Sequence, residues 1–450
     1  MIQLEEIDRQ LRELSETQDF EIQHLTNGDL SIGLYFYSSL INSKLIQERI
    51  SEPFSSCHSY SEMKNILDAE LFCEQVLDEK EMIPKLLEGY SLITFNDTFF
   101  SFYAPKVIND KVDYAKNEAS VQGPPFALTE DSYANLNLIR RRYASSNLMV
   151  KEKEVGKKPK AKLYVMYDKH VVKETVLQEL LQKIDDIQDE FIQASGQLEN
   201  LLSQKKFNFV PLMLVTERPD RIVFSLSQGK IVILVNGSPF ALIAPAVFYD
   251  FMSAMDDRYQ TYWIGIGLVI LRYISLFLTI CLPAIYIAVI SHNPEIFQVQ
   301  FALSIAGSRA PVPYSSFVEV LFMLFLIEVL IEASIRLPKY IGSTATTVGG
   351  LILGQAAQEA GLVSSVMIII TSTVAIANFV VPINEMSFAI RLVKYPLIVF
   401  ATLFGILGLI SGAFCFLVYL VNLRSYGEPF FRLQFGEHAS TNSKKRISGR

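Results

Sequence analysis

From about Ile264 to Tyr419 the chain presents several apolar runs long enough to cross a bilayer, broken by only a few charged residues. Water does not solvate such a stretch, so this third of the molecule must lie in lipid or bury itself against its own segments. The preceding part carries charge at ordinary soluble density. The overall figures, 50% hydrophobic, 19% charged and a mean hydropathy of +0.28, therefore average two unlike regions. The split predicts a large soluble region followed by a polytopic α-helical membrane domain.

A net charge of −7 carries no nucleic-acid signature. Cys57, Cys73, Cys281 and Cys415 form no C-x-x-C pair, and two of them lie within apolar runs. That pattern indicates reduced thiols, not a disulfide framework or a zinc site. Residues 1–19 are acidic and amphipathic without the apolar core of a secretory signal, which keeps the soluble region in the cytoplasm as an expectation.

Spans need roughly 20 residues, and four stretches qualify: Ile264 to Ile290, Phe317 to Ile335, Leu362 to Val381 and Leu397 to Val421. Phe297 to Ile305 is too short and reads as a loop or interfacial piece. Ile341 to Ala357 is long enough for a helix but mildly polar. With four spans both termini share a side, and Arg424, Arg432, Lys444, Lys445, Arg446 and Arg450 place that side in the cytoplasm. External loops would then hold Arg309, Arg391 and Lys394.

Charges inside these spans are costly unless paired or hydrated. Arg272 lies about eight residues into the first span and Glu328 about seven from the far end of the second, so both fall about 10 to 12 Å from the cytoplasmic face and are expected to pair. Glu328, Glu332 and Arg336 recur every four residues as one polar stripe, whereas Glu319 faces the other way. Either the stripe locks helices together, or it faces a hydrated pathway.

Within Ile341 to Ala357, the small polar residues and Gly350-x-x-x-Gly354 belong inside a bundle and not against lipid. This element is either a packing helix or, repeated around an oligomeric ring, the wall of a conduit. In the second case Ser343, Thr344 and Thr347 line it, and Val348 or Leu351 forms an apolar constriction that gates by dewetting.

The soluble region contains a duplication. Gly89 to Pro105 aligns with Gly229 to Pro245, with glycine, isoleucine, asparagine, phenylalanine, alanine and proline recurring in step. Each copy reads as strand, Asn-containing turn, strand. Upstream, Ser31 to Tyr37 and Ala161 to Tyr167 each lead from a strand into a helix. The fold class expected is thus an α/β cytoplasmic region of two duplicated small subdomains plus the helical membrane domain. Its divisions are an N-terminal segment 1–19, subdomain one at 20–106, a helical and basic linker at 107–160, subdomain two at 161–260, the membrane domain at 261–422 with about four spans and one embedded small-residue helix, and a basic tail at 423–450. The lysine-rich run from Lys151 to Lys162 reads as a solvated linker face, with contact to anionic lipid or a partner as the alternative. His24, His58, His170, His292 and His438 are scattered, and neither common phosphate-binding glycine loop is present, so neither a catalytic site nor a cofactor or metal site is expected.

Several short strings recur in this order: Gly123-Pro124 with Thr129-Glu130; Thr216-Glu217-Arg218-Pro219-Asp220; Asn236-Gly-Ser-Pro-Phe-Ala-Leu; Leu282-Pro283-Ala284 with Tyr286; Ser308-Arg309; Ile335-Arg336-Leu337-Pro338; and Gly354-Gln355-Ala356-Ala357. Over almost its whole length the chain resembles the A subunits of the GerA family of spore germination receptors. Pro125 and Phe126 replace a charged pair usual in the family, and Ala310 replaces an acidic residue, so no ion pair is carried over to those positions. The resemblance implies residence in the spore inner membrane, a transporter-like B subunit and a lipoprotein C subunit as partners, and a response to small nutrients. It also implies homo-oligomers forming a ligand-gated ion conduit. A non-conducting signalling scaffold is the alternative. A secondary transporter would need inverted membrane repeats, whereas duplication is seen only in the soluble half.

Overall fold

This computed structural model describes residues 11, 13–28, 30–95, 98–106, 114–115, 117–118, 120, 122–157, 160–187, 192–203, 208–335, 349–350 and 352–432. The chain forms two units: Met1–Gln204 with Met213–Ala246 and Ser425–Glu428, and Lys205–Leu212 with Val247–Arg424 and Pro429–Arg450.

The first unit carries two five-stranded sheets. One consists of β1 (Phe20–Asn27), β2 (Leu30–Tyr37), β3 (Cys73–Val76), β4 (Tyr90–Phe95) and β5 (Thr98–Tyr103), in the order β1-β2-β4-β5-β3. The other consists of β6 (Leu148–Val155), β7 (Ala161–Asp168), β8 (Leu214–Thr216), β9 (Ile231–Val235) and β10 (Ala241–Ala244), in the order β6-β7-β9-β10-β8. The two orders match position for position, and neighbouring strands are antiparallel throughout. The repeated strings fall on the β4-β5 and β9-β10 hairpins, so the duplication read from the sequence is a duplication of fold. The second hairpin turns at Gly237 with φ +84, a value that favours glycine.

Burial explains the long apolar runs of β2. Side chains alternate across a strand, and both faces of this one are covered. Ile32, Leu34 and Phe36 pack with Phe54, Met63 and Leu67 on one side. Tyr35 and Tyr37 pack with Met82 and Leu86 on the other. Met63 and Leu67 belong to α1 (Tyr60–Ala69), whose N-cap Ser59 accepts from the Glu62 amide. In the linker, α2 (Ser132–Arg142) begins at Asp131, whose carboxylate accepts from the amides of Tyr133 and Ala134. In the second half, α3 (Glu174–Asp185) lays Val176, Leu177, Leu180 and Ile184 onto Leu163, Val165, Ile231 and Ile233. α4 (Pro219–Ser227) starts with proline in its first turn, where no intrahelical donor is needed.

The second unit is helical: α5 (Tyr262–His292), α6 (Val299–Arg309), α7 (Ser316–Ile335), α8 (Ser365–Phe379) and α9 (Asn384–Asn422). α5 and α9 are long and apolar enough to cross a membrane. A straight helix of the 39 residues of α9 would run about 58 Å, roughly twice the hydrocarbon thickness. It is not straight. Gly405 sits at φ 62 and ψ −138, and a Cβ placed on Gly412 would lie 3.5 Å from the Phe400 Cβ. Along an unbroken helix those residues would be about 18 Å apart, so the chain folds back at Gly405 into two arms, 384–404 and 406–422. The stretch expected as one span, Leu397 to Val421, is therefore broken by a reversal at Gly405. Similarly, Phe297 to Ile305, expected as a loop or interfacial piece, lies largely within α6.

One end of the bundle, its head, gathers the helix turns. Ser291 and Ser316 hydroxyls bond each other, and the His292 Nε2–H donates to the Thr402 carbonyl at 2.9 Å. The positive-φ Gly361 lies against Pro311. Residues 352–359 are helical. Below them, Gly349 and Gly350 face Leu330 of α7, with room for a Cβ only about 3.3 Å from its methyls. The described part of the small-residue element thus rises toward the head in close contact with α7, as small residues permit.

Candidate functional site

Glu328 on α7 binds two cations on the first arm of α9. Its Oε2 accepts from Arg391 Nη1 and its Oε1 from Lys394 Nζ, both at 2.9 Å. Lys394 is wholly buried and Arg391 is 8% exposed. Counting residues from the head, Lys394 lies about 12 Å down, Arg391 about 16 Å and Glu328 about 18 Å. The three groups therefore lie within about 6 Å of one another along the bundle axis, well away from the head. Two cations share one carboxylate, which leaves a net positive charge where charge is most costly to desolvate.

This arrangement corrects two expectations. Arg391 and Lys394 are buried on a helix and do not occupy an external loop. Arg272 does not pair with Glu328: its guanidinium grips both oxygens of Asp257 and also donates to the Met252 carbonyl at 3.2 Å. The reason is axial position. Arg272 is about 30 Å from the head and Glu328 about 18 Å, so about two helical turns separate them. Asp257 lies in the turn Met255–Arg258 just before α5, so Arg272 reaches back along its own helix. The spacing of Arg391 and Lys394, three residues apart on one helix face, was visible in the sequence. What concealed it was starting the last span at Leu397.

A second polar centre lies at the head. Glu319 is 1% exposed; its Oε1 accepts from the Ser364 amide and hydroxyl, both at 2.7 Å, and its Oε2 from the Tyr286 hydroxyl at 3.0 Å. Arg309 completes it at 3.5 Å. Here α5, α7 and the start of α8 converge on one carboxylate. Among the other expected positions, Glu332 is exposed on α7. Ser343, Thr344, Thr347, Val348, Leu351 and Arg336 lie outside the described residues, as do Asn96 and the basic tail residues from 433 onward.

In the α/β unit the string from Thr216 to Asp220 clamps the linker. The Glu217 carboxylate accepts from the amides of Asn117 and Glu118, and its carbonyl accepts from the Leu128 amide at 2.8 Å. Arg218, 2% exposed, forks onto Asp220, and Arg221 binds Glu118 at 2.8 Å. Gly123 lies in a bend of the clamped segment with Pro124 directly after it, and Tyr114 stacks on Phe126. The clamp covers the edge strand β8. Its counterpart β3 has no such cover among the described residues: Leu71 and Leu77 are 91% and 79% exposed, whereas Met213, matching Leu71 in the repeat, is fully buried. Among the described residues no cluster could hold a metal ion, and all four cysteines are free.

Such a chain, a duplicated α/β unit followed by helices long and apolar enough to cross a membrane, fits a class of membrane protein with a large α/β moiety. Residues 6–445 match the family model described as Bacillus/Clostridium GerA spore germination protein. The chain belongs to this GerA family of spore germination proteins. It is 33% identical over 405 residues to spore germination protein B1 of Bacillus subtilis, covering 88% of this chain and 84% of that one. Spore germination protein KA of the same organism is 31% identical over 430 residues, covering 93% and 79%. An uncharacterized membrane protein of B. subtilis, YfkQ, is 33% identical over 313 residues, covering 70% and 61%. Among solved structures, the N-terminal domain of the A subunit of the Bacillus megaterium spore germinant receptor GerK3 aligns with a TM-score of 0.40 at 21% identity, covering 55% of this chain and 96% of that domain.

Proposed function

We propose that the protein is the A subunit of a nutrient germinant receptor, and that copies of it assemble into a ligand-gated ion channel in the spore inner membrane. In this reading both termini face the spore core, membrane lipid surrounds the bundle, and a transporter-like B subunit and a lipoprotein C subunit complete the receptor. The B subunit senses the nutrient, the duplicated cytoplasmic subdomains couple neighbouring copies, and no catalysis is involved. The observation that carries the reading is the Glu328, Arg391 and Lys394 cluster. Ionisable groups at mid-bilayer depth are retained where they serve ion movement or its control, and this cluster ties α7, against which Gly349 and Gly350 of the small-residue element pack, to the first arm of α9. That element, with Ser343, Thr344 and Thr347 on its wall and Val348 or Leu351 as constriction, is the proposed gate.

A non-conducting scaffold is the second reading. In its favour, Arg272, Glu319, Glu328, Arg391 and Lys394 all have partners within the bundle, as a purely structural network would. Liposomes containing only the receptor subunits separate the two. The channel reading expects cation release on nutrient addition and a resting leak when Val348 is replaced by Ser. Absence of both, with germination still supported in spores, assigns the scaffold role.

A further inference from the structure

We infer that the turn immediately after the last apolar arm is a plug that couples that arm to the second α/β half. Residues 425–428 belong to the α/β unit although they follow α9 directly. They form the tip of a hairpin, β11 (Arg424–Ser425) and β12 (Glu428–Pro429), closed at its base by the Phe430 amide on the Leu423 carbonyl at 3.0 Å. Both tip residues have positive φ, Tyr426 at 48 and Gly427 at 79. Primed hairpin turns of this kind favour Asn-Gly, and a bulky residue at the first position is strained.

Burial supplies the compensation. Tyr426 is 4% exposed within the core formed by α3 and β7. Its hydroxyl donates to the Met213 sulfur at 3.2 Å, and the Lys183 ammonium lies 4.3 Å from its ring centroid. Around it, Ser425 Oγ accepts from the Ala246 amide at 3.2 Å, and Lys173 binds Glu428 at 2.6 Å. Strain held in place by surrounding contacts points to a conformation with a use. Only Leu423 and Arg424 separate Asn422, the last residue of α9, from the plug, and the three Cα steps from Asn422 to Ser425 span at most about 11 Å. The arm 406–422 therefore cannot shift by more than a few ångströms without drawing the second half with it or pulling Tyr426 out.

The signalling part of this inference rests on the receptor reading; the seating of the plug does not. Four residues, Gly-Ser-Gly-Ser, inserted between Asn422 and Leu423 lengthen the tether while leaving hairpin and core intact. The full chain is tested with its partner subunits in spores, using a mixture of L-amino acids, monosaccharides and nucleosides as stimulus. The insertion variant is expected to reach wild-type abundance and keep the slow hydrogen exchange of residues 425–428, yet to lose at least ten-fold in response. Tyr426→Phe should respond within two-fold of wild type, and Tyr426→Ala should lose exchange protection at 425–428 and at Ala246. A wild-type response from the insertion variant with its hairpin protected overturns the coupling, and retained protection in Tyr426→Ala overturns the plug. If the wild-type chain itself supports no response to nutrients, the receptor reading fails, while the exchange data still decide whether the plug is seated.

Discussion

Arg140 and Asp19, 121 positions apart, meet through three charge-assisted hydrogen bonds of 2.6 to 3.1 Å, with side-chain exposures of 0% and 4%. Asp19 precedes β1, and Arg140 lies on α2 and also donates to the Leu148 carbonyl at the start of β6 at 2.9 Å. Thr17 and Ser39 hydroxyls occupy the remaining carboxylate positions, and the guanidinium carbon lies 4.5 Å from the Tyr37 ring centroid. One buried, fully bonded pair thus joins the first sheet, the linker helix and the second sheet.

Removing one partner strands the other charge in a dry site. Asp19→Ala should destabilise the α/β unit by about 3 to 5 kcal/mol, whereas Asp19→Leu combined with Arg140→Met should cost clearly less. Thermal unfolding of the full-length protein in detergent checks the order; a double variant as unstable as the single one contradicts it.

Beside this pair, the Tyr37 hydroxyl is buried with no hydrogen-bond partner among the described residues, and burial pushes its pKa up to about 12. The neutral form is favoured by folding, so its contribution is complete below about pH 10, the unfolded value, and is lost as pH rises from there to about 12. The loss amounts to about 2 to 3 kcal/mol. Tyr37→Phe should be neutral or stabilising at pH 7 and should flatten this part of the alkaline unfolding curve, measured by urea titration across pH 9 to 12.

In the bundle, a double-mutant cycle separates the two arginines. Arg391 and Glu328 should couple by about 1 to 3 kcal/mol, while Arg272 and Glu328 should be additive within about 0.5 kcal/mol. Glu328→Gln should be more damaging than Arg391→Ala, because it leaves two cations uncompensated instead of one intact pair. The readout is the melting temperature of the membrane-extracted protein.

The reversal at Gly405 depends on a backbone conformation that is nearly exclusive to glycine, with the His292 side chain 3.0 Å from where a Cβ would stand. Gly405→Ala should cost about 1 to 3 kcal/mol. If the two arms instead form one continuous helix, cysteines placed at 400 and 412 will not crosslink in the wild-type background.

The sequence by itself was sufficient for the division into soluble and apolar parts, for the duplication and for family membership. That the two sheets are alike followed from the repeat, because the apolar runs of β2 and β7 and the β4-β5 and β9-β10 hairpins recur in step, whereas the order of strands within each sheet came from tertiary pairing. Tertiary structure decided which charges meet. Partner choice among Arg272, Glu328, Arg391 and Lys394 depends on helix level, and for Arg391 and Lys394 that level follows from the reversal at Gly405, which has no periodic signal in an apolar run. Likewise the places of Tyr426 and Asp19 were invisible locally, since burial is a property of what packs around a side chain, and the decisive partners, Met213 for Tyr426 and Arg140 for Asp19, lie more than 100 residues away.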